Sequence, residues 1–276
     1  MSLRMKIEGI ETRLVSNDHA AVMATRDYNK GSIIEVCPMV PFSRRDTYFI
    51  KETKFGEDIF PLGSGRSFLA GGYALIYSSF GKNNAYYEVM EGRRLLVIKA
   101  QRKISNGEFI SLEGRDHKPS PKFDYNEQTP WHSDGLEVRK SPGRGFGVFT
   151  TRRFAKGDFV EVNHMIGLDY TDSHVANLTE LQRYLFTLDN DSTDISFGSE
   201  PFGWALGYCS FYNDSEQGPG KIEPNINPWH QIPLIGVRHI AVRAIKDLPA
   251  GTELFFDYND DCGKMSFDED EEDWAV

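Results

Sequence analysis

The architecture of this chain can be inferred from one segment, Ser141-Pro142-Gly143-Arg144-Gly145-Phe146-Gly147-Val148-Phe149, a glycine-rich turn followed by β-branched and aromatic residues. A dinucleotide-binding fingerprint would need a third glycine where Val148 stands and a helix after it. Val148 to Thr151 is instead typical of a strand. We therefore predict a hairpin turn whose glycine backbone can approach a ligand closely.

Four further blocks follow this turn in a fixed order. They are Lys156-Gly157-Asp158-Phe159-Val160, Tyr184-Leu185-Phe186-Thr187-Leu188-Asp189-Asn190, Phe211-Tyr212-Asn213-Asp214-Ser215 with Pro224-Asn225 downstream, and Glu253-Leu254-Phe255-Phe256-Asp257-Tyr258. The ordered series resembles the SET-domain protein lysine methyltransferases over about residues 134–263. In its compactness it is also similar to the small stand-alone SET enzymes of large DNA viruses.

The resemblance implies S-adenosylmethionine as cosubstrate, protein-lysine N-methyltransferase activity, and a β-rich fold with a knot-like C-terminal threading. By the same resemblance, the cofactor would be bound by Arg144, Gly145, Phe146, Gly147, Asn213 and Asp214. Tyr258 matches the catalytic tyrosine. Tyr184, Tyr208 and Phe256 are expected to line the channel for the substrate lysine.

The chemistry explains why aromatic residues suit such a site. Methyl transfer from a sulfonium to an amine is an in-line displacement, so its main demand is alignment inside a narrow passage. The lysine must attack as the neutral amine although its ordinary pKa is about 10.4, and an apolar channel disfavours the ammonium form. No metal is needed, and we expect none. By the same resemblance, phenylalanine at position 256 leaves room in the channel, which implies di- or trimethylation over monomethylation.

The sequence departs from the family pattern in three places. Asp214 replaces a histidine, the connection from Ser215 to Pro224 is long, and no cysteine-rich zinc segment follows Tyr258. An aspartate cannot donate a hydrogen bond as histidine can, which puts cofactor affinity in doubt. A non-catalytic peptide-binding module is therefore the alternative function, and methylation of a non-protein amine is a weaker third.

The chain also contains an internal repeat with a period too long for a solenoid. Residues 10–39 align without gaps with 136–165 and share ten identities. Ala74–Phe80 resembles Ala205–Phe211, and Ala100–Leu112 resembles Ala244–Phe256. This alignment places His19 and Ala21 at the glycine-turn positions, Lys82 opposite Asn213, and Gly114 opposite Tyr258, so the first copy has lost every functional position.

We predict a mainly β fold of tandem SET (β-clip) domains with few short helices and a degenerate N-terminal copy. The boundaries are a degenerate SET-like domain at residues 1–118, a linker at 119–133, the SET methyltransferase domain at 134–263 and an acidic tail at 264–276. Because the viral-type enzymes are homodimers, two copies in one chain could form an internal pseudo-dimer, with a monomer favoured. The expected strands are 147–150, 159–162, 234–242 and 253–258, and the one expected helix is 175–186, capped by Asp172 or Ser173.

Charge and composition restrict the partners. The chain of 276 residues has 41 acidic and 31 basic side chains, a net charge of −10, which argues against direct nucleic-acid binding. Asp257 to Asp273 contributes nine acidic residues and one basic residue. This segment either steers a basic substrate by long-range attraction or is only a solubilising tail. The three cysteines are far apart, and no stretch approaches the roughly 20 apolar residues of a membrane span, so we expect an intracellular protein with reduced thiols and no membrane contact.

Overall fold

The computed structural model describes residues 8–16, 19–77, 82–112, 134–187, 202–216, 220–231 and 239–258. The predicted linker at 119–133, the acidic tail at 264–276, Cys262, Gly114 and the part of the expected strand at 234–238 lie outside these residues. No helix in the described part of the chain is long and apolar enough to cross a membrane.

The described residues form strands β1 to β16 and two short α-helices. In the first half these are β1 Ile10–Ser16, β2 His19–Ala24, β3 Ile33–Phe42, α1 Arg44–Ile50, β4 Phe60–Gly63, β5 Arg66–Ala70, β6 Ala85–Met90 and β7 Leu95–Ala100. In the second half they are β8 Leu136–Ser141, β9 Gly145–Thr150, β10 Phe159–Leu168, α2 Tyr170–Ala176, β11 Phe186–Thr187, β12 Phe202–Ala205, β13 Asn213–Asp214, β14 Ile226–Gln231, β15 His239–Ala244 and β16 Phe255–Phe256. The prediction of a mainly β fold is confirmed.

Each half contains a two-stranded hairpin and a five-stranded sheet with the same connectivity. The sheet orders are β4-β5-β3-β7-β6 and β11-β12-β10-β15-β14. The long central strands β3 and β10 carry a register irregularity at the same place, Ile33/Glu35 in one and Phe159/Glu161 in the other. The described parts of the two halves therefore share one sheet connectivity, and the tandem duplication stays a prediction.

One part of the sequence alignment is wrong by four residues. Gly72 pairs with Gly207, and the amides of Tyr73 and Tyr208 each donate to the glutamate of their own central strand. Tyr73 therefore corresponds to Tyr208, which places Ser78, and not Lys82, opposite Asn213. The register predicted from the sequence instead aligns an Ala-Leu pair that occurs in both copies, at Ala74 and Ala205.

The expected helix at 175–186 is also wrong. α2 begins earlier, where the Asp169 side chain accepts from the amide of Asp172 at 2.8 Å, and it ends at Ala176. The Thr179 hydroxyl donates to the Ala176 carbonyl and accepts from the Leu181 amide, which starts a separate 3₁₀ turn at Glu180–Tyr184. A threonine that bonds the backbone locally competes with continuation of the helix.

The two halves share one buried core. Gly72 and Gly207 exchange two backbone hydrogen bonds, of 2.9 and 3.2 Å, and the Tyr73 hydroxyl donates to Asn163 Oδ1 at 3.3 Å. The Lys54 amide donates to Asp172 Oδ2 at 3.1 Å across the same boundary. Because corresponding glycines contact each other, the halves meet as the two subunits of an isologous dimer do.

Candidate active site

The second half carries a cleft of about 1280 Å³, and the glycine-rich turn forms one of its walls. β8 and β9 pair up to Ser141 and Gly145, which leaves a three-residue turn between the strands. Gly143 and Gly145 have φ values of 74° and 82°, in the left-handed region that favours glycine. The turn therefore presents backbone to the cleft, as the sequence predicts.

The Arg144 side chain stabilises this turn. Its guanidinium donates to the Gly220 carbonyl at 2.7 Å and lies over the Phe255 ring. These contacts tie the turn to the long connection after Ser215 and to β16. Arg144 also lines the cleft, together with Gly145 and Phe146.

Asn213 connects the turn to the C-terminal segment. Its amide nitrogen donates to the Phe146 carbonyl at 3.0 Å and to Glu253 Oε1 at 2.9 Å. A Cβ on Gly147 would lie 2.2 Å from that same Glu253 oxygen, so only glycine allows this approach. Glu253 was quoted in a motif but not predicted as a site residue, because its partner lies 40 positions away.

A short parallel pairing brings Tyr258 to the cleft. β13 and β16 pair Asn213 with Phe255 and Asp214 with Phe256. The Tyr258 hydroxyl donates to the Tyr212 carbonyl at 2.6 Å, although 45% of the residue is exposed. Enclosure of that hydroxyl raises the pKa of Tyr258, and the Asp214 carboxylate and Tyr184 raise it further. Tyr258 therefore remains a neutral hydrogen-bond donor near neutral pH.

Asp214 is 5% exposed, and its two carboxylate oxygens differ in their hydrogen bonding. Oδ1 accepts from the amides of Glu216 at 3.0 Å and Tyr258 at 3.5 Å. Oδ2 is buried and has no hydrogen-bond partner among the described residues. An unpartnered buried carboxylate oxygen can accept from a donor or cation in the cleft, which fits the ammonium of an amino-acid ligand.

Aromatic rings surround Tyr258. Tyr184 lines the cleft, with its ring centroid 6.3 Å from Trp204 and 5.7 Å from Phe211. The Phe256 centroid is 4.5 Å from that of Tyr258, and its other side packs against Phe186 at 6.0 Å. Tyr184 and Tyr258 line the cleft, whereas Phe256 packs against Tyr258 and is not among the described residues that line it, so its place in the lysine channel stays a prediction.

Tyr208 lies elsewhere. It is fully buried between the halves, near Glu35 and Cys37 of the first half, and is not among the described residues that line the cleft. Burial raises its pKa well above the ordinary value. The structure gives Tyr208 a place in the core rather than in the lysine channel.

A buried glutamate under the cleft supports Tyr258 indirectly. Glu161 accepts from the Tyr212 hydroxyl at 2.6 Å, the Cys209 thiol at 3.1 Å and the Asn163 amide group at 2.7 Å. Tyr212, anchored in this way, supplies the carbonyl that binds the Tyr258 hydroxyl. In the sequence, the signal for this network is a glutamate between Val160 and Val162 in a β-branched run.

Comparisons with known proteins agree with this geometry. The SET domain family model matches residues 145–259. The histone-lysine N-methyltransferase, H3 lysine-9 specific KMT1, of Fusarium mangiferae is 32% identical over 138 residues, 45% of this chain and 39% of that protein. The H3 lysine-9 specific enzyme dim-5 of Neurospora crassa is 31% identical over 139 residues, 45% of this chain and 40% of that protein.

Among solved structures, the Neurospora SET domain protein DIM-5 is similar at 26% identity and a TM-score of 0.34, covering 48% of this chain and 54% of that one. The chain spans about two fifths of the length of the curated relatives it matches. The family match begins at Gly145 and includes Asn213, Asp214 and Tyr258, and these four residues line one cleft. Residues 145–259 of this chain are therefore a SET domain.

Proposed function

We propose that the protein is an S-adenosylmethionine-dependent protein-lysine N-methyltransferase. One observation carries the proposal: the Tyr258 hydroxyl is held at 2.6 Å by the Tyr212 carbonyl in a cleft that the glycine turn and Asp214 also line. The relatives' names, which specify histone H3 lysine 9, favour a lysine in a basic protein as substrate. An intracellular location fits that substrate class.

The residues present fit the cofactor. Asp214 Oδ2 is a buried acceptor without a partner among the described residues, and the turn at 143–145 offers glycine backbone. When bound, S-adenosylmethionine supplies the electrophilic methyl group. We assign cofactor contacts to Gly145, Phe146 and Asp214. Asn213 and Gly147 act by joining the turn to Glu253.

We assign the binding and orientation of the substrate lysine to the aromatic residues. Tyr184 and Tyr258 place aromatic rings on the cleft, and Phe256 packs against Tyr258. We propose that a lysine entering between these rings is disfavoured in its ammonium form. The Tyr258 hydroxyl, which donates to the Tyr212 carbonyl at 2.6 Å, is held in place to orient the attacking nitrogen. Alignment of this kind can contribute several orders of magnitude to a displacement reaction.

Calorimetry with S-adenosylmethionine tests the proposal against the alternative of a non-catalytic peptide-binding module. An enzyme binds the cofactor with measurable heat, whereas the module binds none. Transfer of a labelled methyl group to a lysine-peptide array then identifies the substrate. Absence of cofactor binding by the folded protein would overturn the proposal.

The Tyr258→Phe variant separates chemistry from binding. Loss of the positioned hydroxyl is expected to lower methyl transfer by about 100-fold or more while cofactor affinity changes little. Tyr48→Phe is the matched control, because Tyr48 is 67% exposed on α1 and is not among the described residues that line the cleft. Full activity in Tyr258→Phe would remove Tyr258 from the mechanism.

A further inference from the structure

The first half of the chain contributes directly to the cleft of the second half. Met39 of β3 and Gly92, Arg93 and Arg94, from the connection between β6 and β7, are among the residues that line it. β3 also packs against the 3₁₀ turn at Glu180–Tyr184. The degenerate half is thus part of the wall, and the cleft is incomplete without it.

The cleft to which the first half contributes has a basic lining. Five described lining residues carry a positive charge, Arg93, Arg94, Lys140, Arg144 and Arg183, whereas Asp214 is the one acidic residue among them. This excess occurs in a protein whose net charge is −10. Arg144 is committed to the Gly220 carbonyl, and Arg183 pairs with Glu180 at 3.3 Å. The first half therefore adds two exposed guanidinium groups to the cleft.

Arg94 occupies a backbone conformation that arginine does not favour. Its φ is 54°, in the left-handed region, where glycine would cost less. Its carbonyl accepts from the Met39 amide at 3.0 Å, and its charge acts on the Tyr184 hydroxyl, lowering the pKa that burial raises. A residue kept at a disfavoured φ beside the site is a reason to look for a role of its side chain.

We propose that Arg93 and Arg94 of the first half bind the carboxylate of the cofactor's amino-acid group. The inference rests on the proposed function, since it concerns the same cleft. A guanidinium group matches a carboxylate in charge and in the geometry of its donors. The cleft then offers opposite charges for the two ends of a zwitterionic amino-acid group. The arginines of the first half suit its carboxylate, and the Asp214 oxygen of the second half suits its ammonium. The first half has lost its own site. It supplies the anion-binding wall of the cleft in the second half.

The test compares two ligands, S-adenosylmethionine and decarboxylated S-adenosylmethionine, by calorimetry on the full chain. The unaltered protein is expected to bind the first about 10-fold more tightly, because only that ligand forms the charge-assisted bonds. In R93Q/R94Q this ratio falls towards one, through loss of affinity for the carboxylate-bearing ligand. R45Q removes a positive charge from the same half outside the cleft and keeps the ratio.

Arg94→Gly is a second variant, and it adds no backbone strain at this left-handed position. Glycine relieves the left-handed backbone, so its melting temperature stays equal or rises while its preference for the carboxylate falls. Equal loss of both ligands in the variants, or an unchanged ratio, would overturn the inference and leave the proposed function intact. Failure of the unaltered protein to bind either ligand would instead count against the proposed function.

Discussion

We propose that product specificity depends on Phe256 and Tyr258. Their ring centroids are 4.5 Å apart, and Phe256 is 7% exposed. Phe256→Tyr adds a hydroxyl that can hold the amine or a water and reduces the space beside the methyl group. We expect mass spectrometry of the product to shift from di- or trimethyl-lysine towards monomethyl-lysine. Phe186→Tyr, on the other side of the same ring, is the control for a general disturbance, and an unchanged Phe256→Tyr distribution would refute the assignment.

Glu35 makes stability depend on pH. It is fully buried, and burial raises its pKa from 4.5 to about 7 even though the Tyr73 amide and Tyr77 hydroxyl bond to it. The folded protein keeps this proton where the unfolded chain has released it, so the free energy of unfolding falls as pH rises from about 4.5 to 7. The loss is about 3 kcal/mol at most.

Glu35→Gln should remove that part of the pH dependence. Denaturant unfolding at pH 5 and pH 7.5 measures the difference, and the exposed Glu52→Gln is the control that keeps it. If Glu35→Gln retains the full slope, the carboxyl titrates normally in the folded protein.

The end of β5 determines the position of Phe211 in the cleft. Gly71 follows β5, and a Cβ there would lie 2.2 Å from Phe211 Cε2. Gly71→Ala should therefore destabilise the protein by about 1–3 kcal/mol through overpacking. It should also weaken cofactor binding, because Phe211 lines the cleft.

A double-mutant cycle with Phe211→Leu tests this cause. If the clash is with the ring, Gly71→Ala costs much less in the Phe211→Leu background than in the unaltered protein. Equal costs in both backgrounds would show that the two residues act independently. Denaturant unfolding, followed by fluorescence, measures the stability of the unaltered protein, the two single variants and the double variant.

Elements differ in how well the sequence predicts them. The strands at 147–150 and 159–162 are confirmed within longer strands, because buried β-branched runs are local signals. The helix at 175–186 is wrong, because the apolar spacing continues through Thr179 while the backbone does not. Its side-chain bonds to Ala176 and Leu181 outweigh the periodicity.

The two halves should behave as one body. Backbone hydrogen bonds join Gly72 to Gly207, and Phe55 packs against Trp204 across the boundary with centroids 6.5 Å apart. A protease site introduced within residues 119–133 and then cleaved should leave two fragments that co-elute on gel filtration. The uncleaved variant is the control, and fragments that separate under native conditions would contradict the shared core.

We propose that the molecule arose by duplication and now forms a pseudo-dimer within one chain. Equivalent bridges occur in both halves, Met23 with Phe109 and Phe149 with Glu253, the first residue of each bridge shifted by 126 positions and the second by 144. The copies have since diverged in function. The second retains the cleft, while the first retains the sheet and, by our inference, two arginines for its partner.

Local sequence was sufficient for much of this description. The order of the motifs indicated the SET domain, the mainly β architecture, and the candidate roles of Tyr258, Asn213 and the glycine turn, because each signal lies within a few consecutive residues. The Asn213 bond to Glu253, the support of Tyr258 by Glu161 through Tyr212, and the approach of Arg94 to the cleft each join segments 40 or more residues apart. Patterns along a chain report periodicity and turn chemistry but carry no information on which distant segments pack together, so these contacts became visible only in the folded molecule.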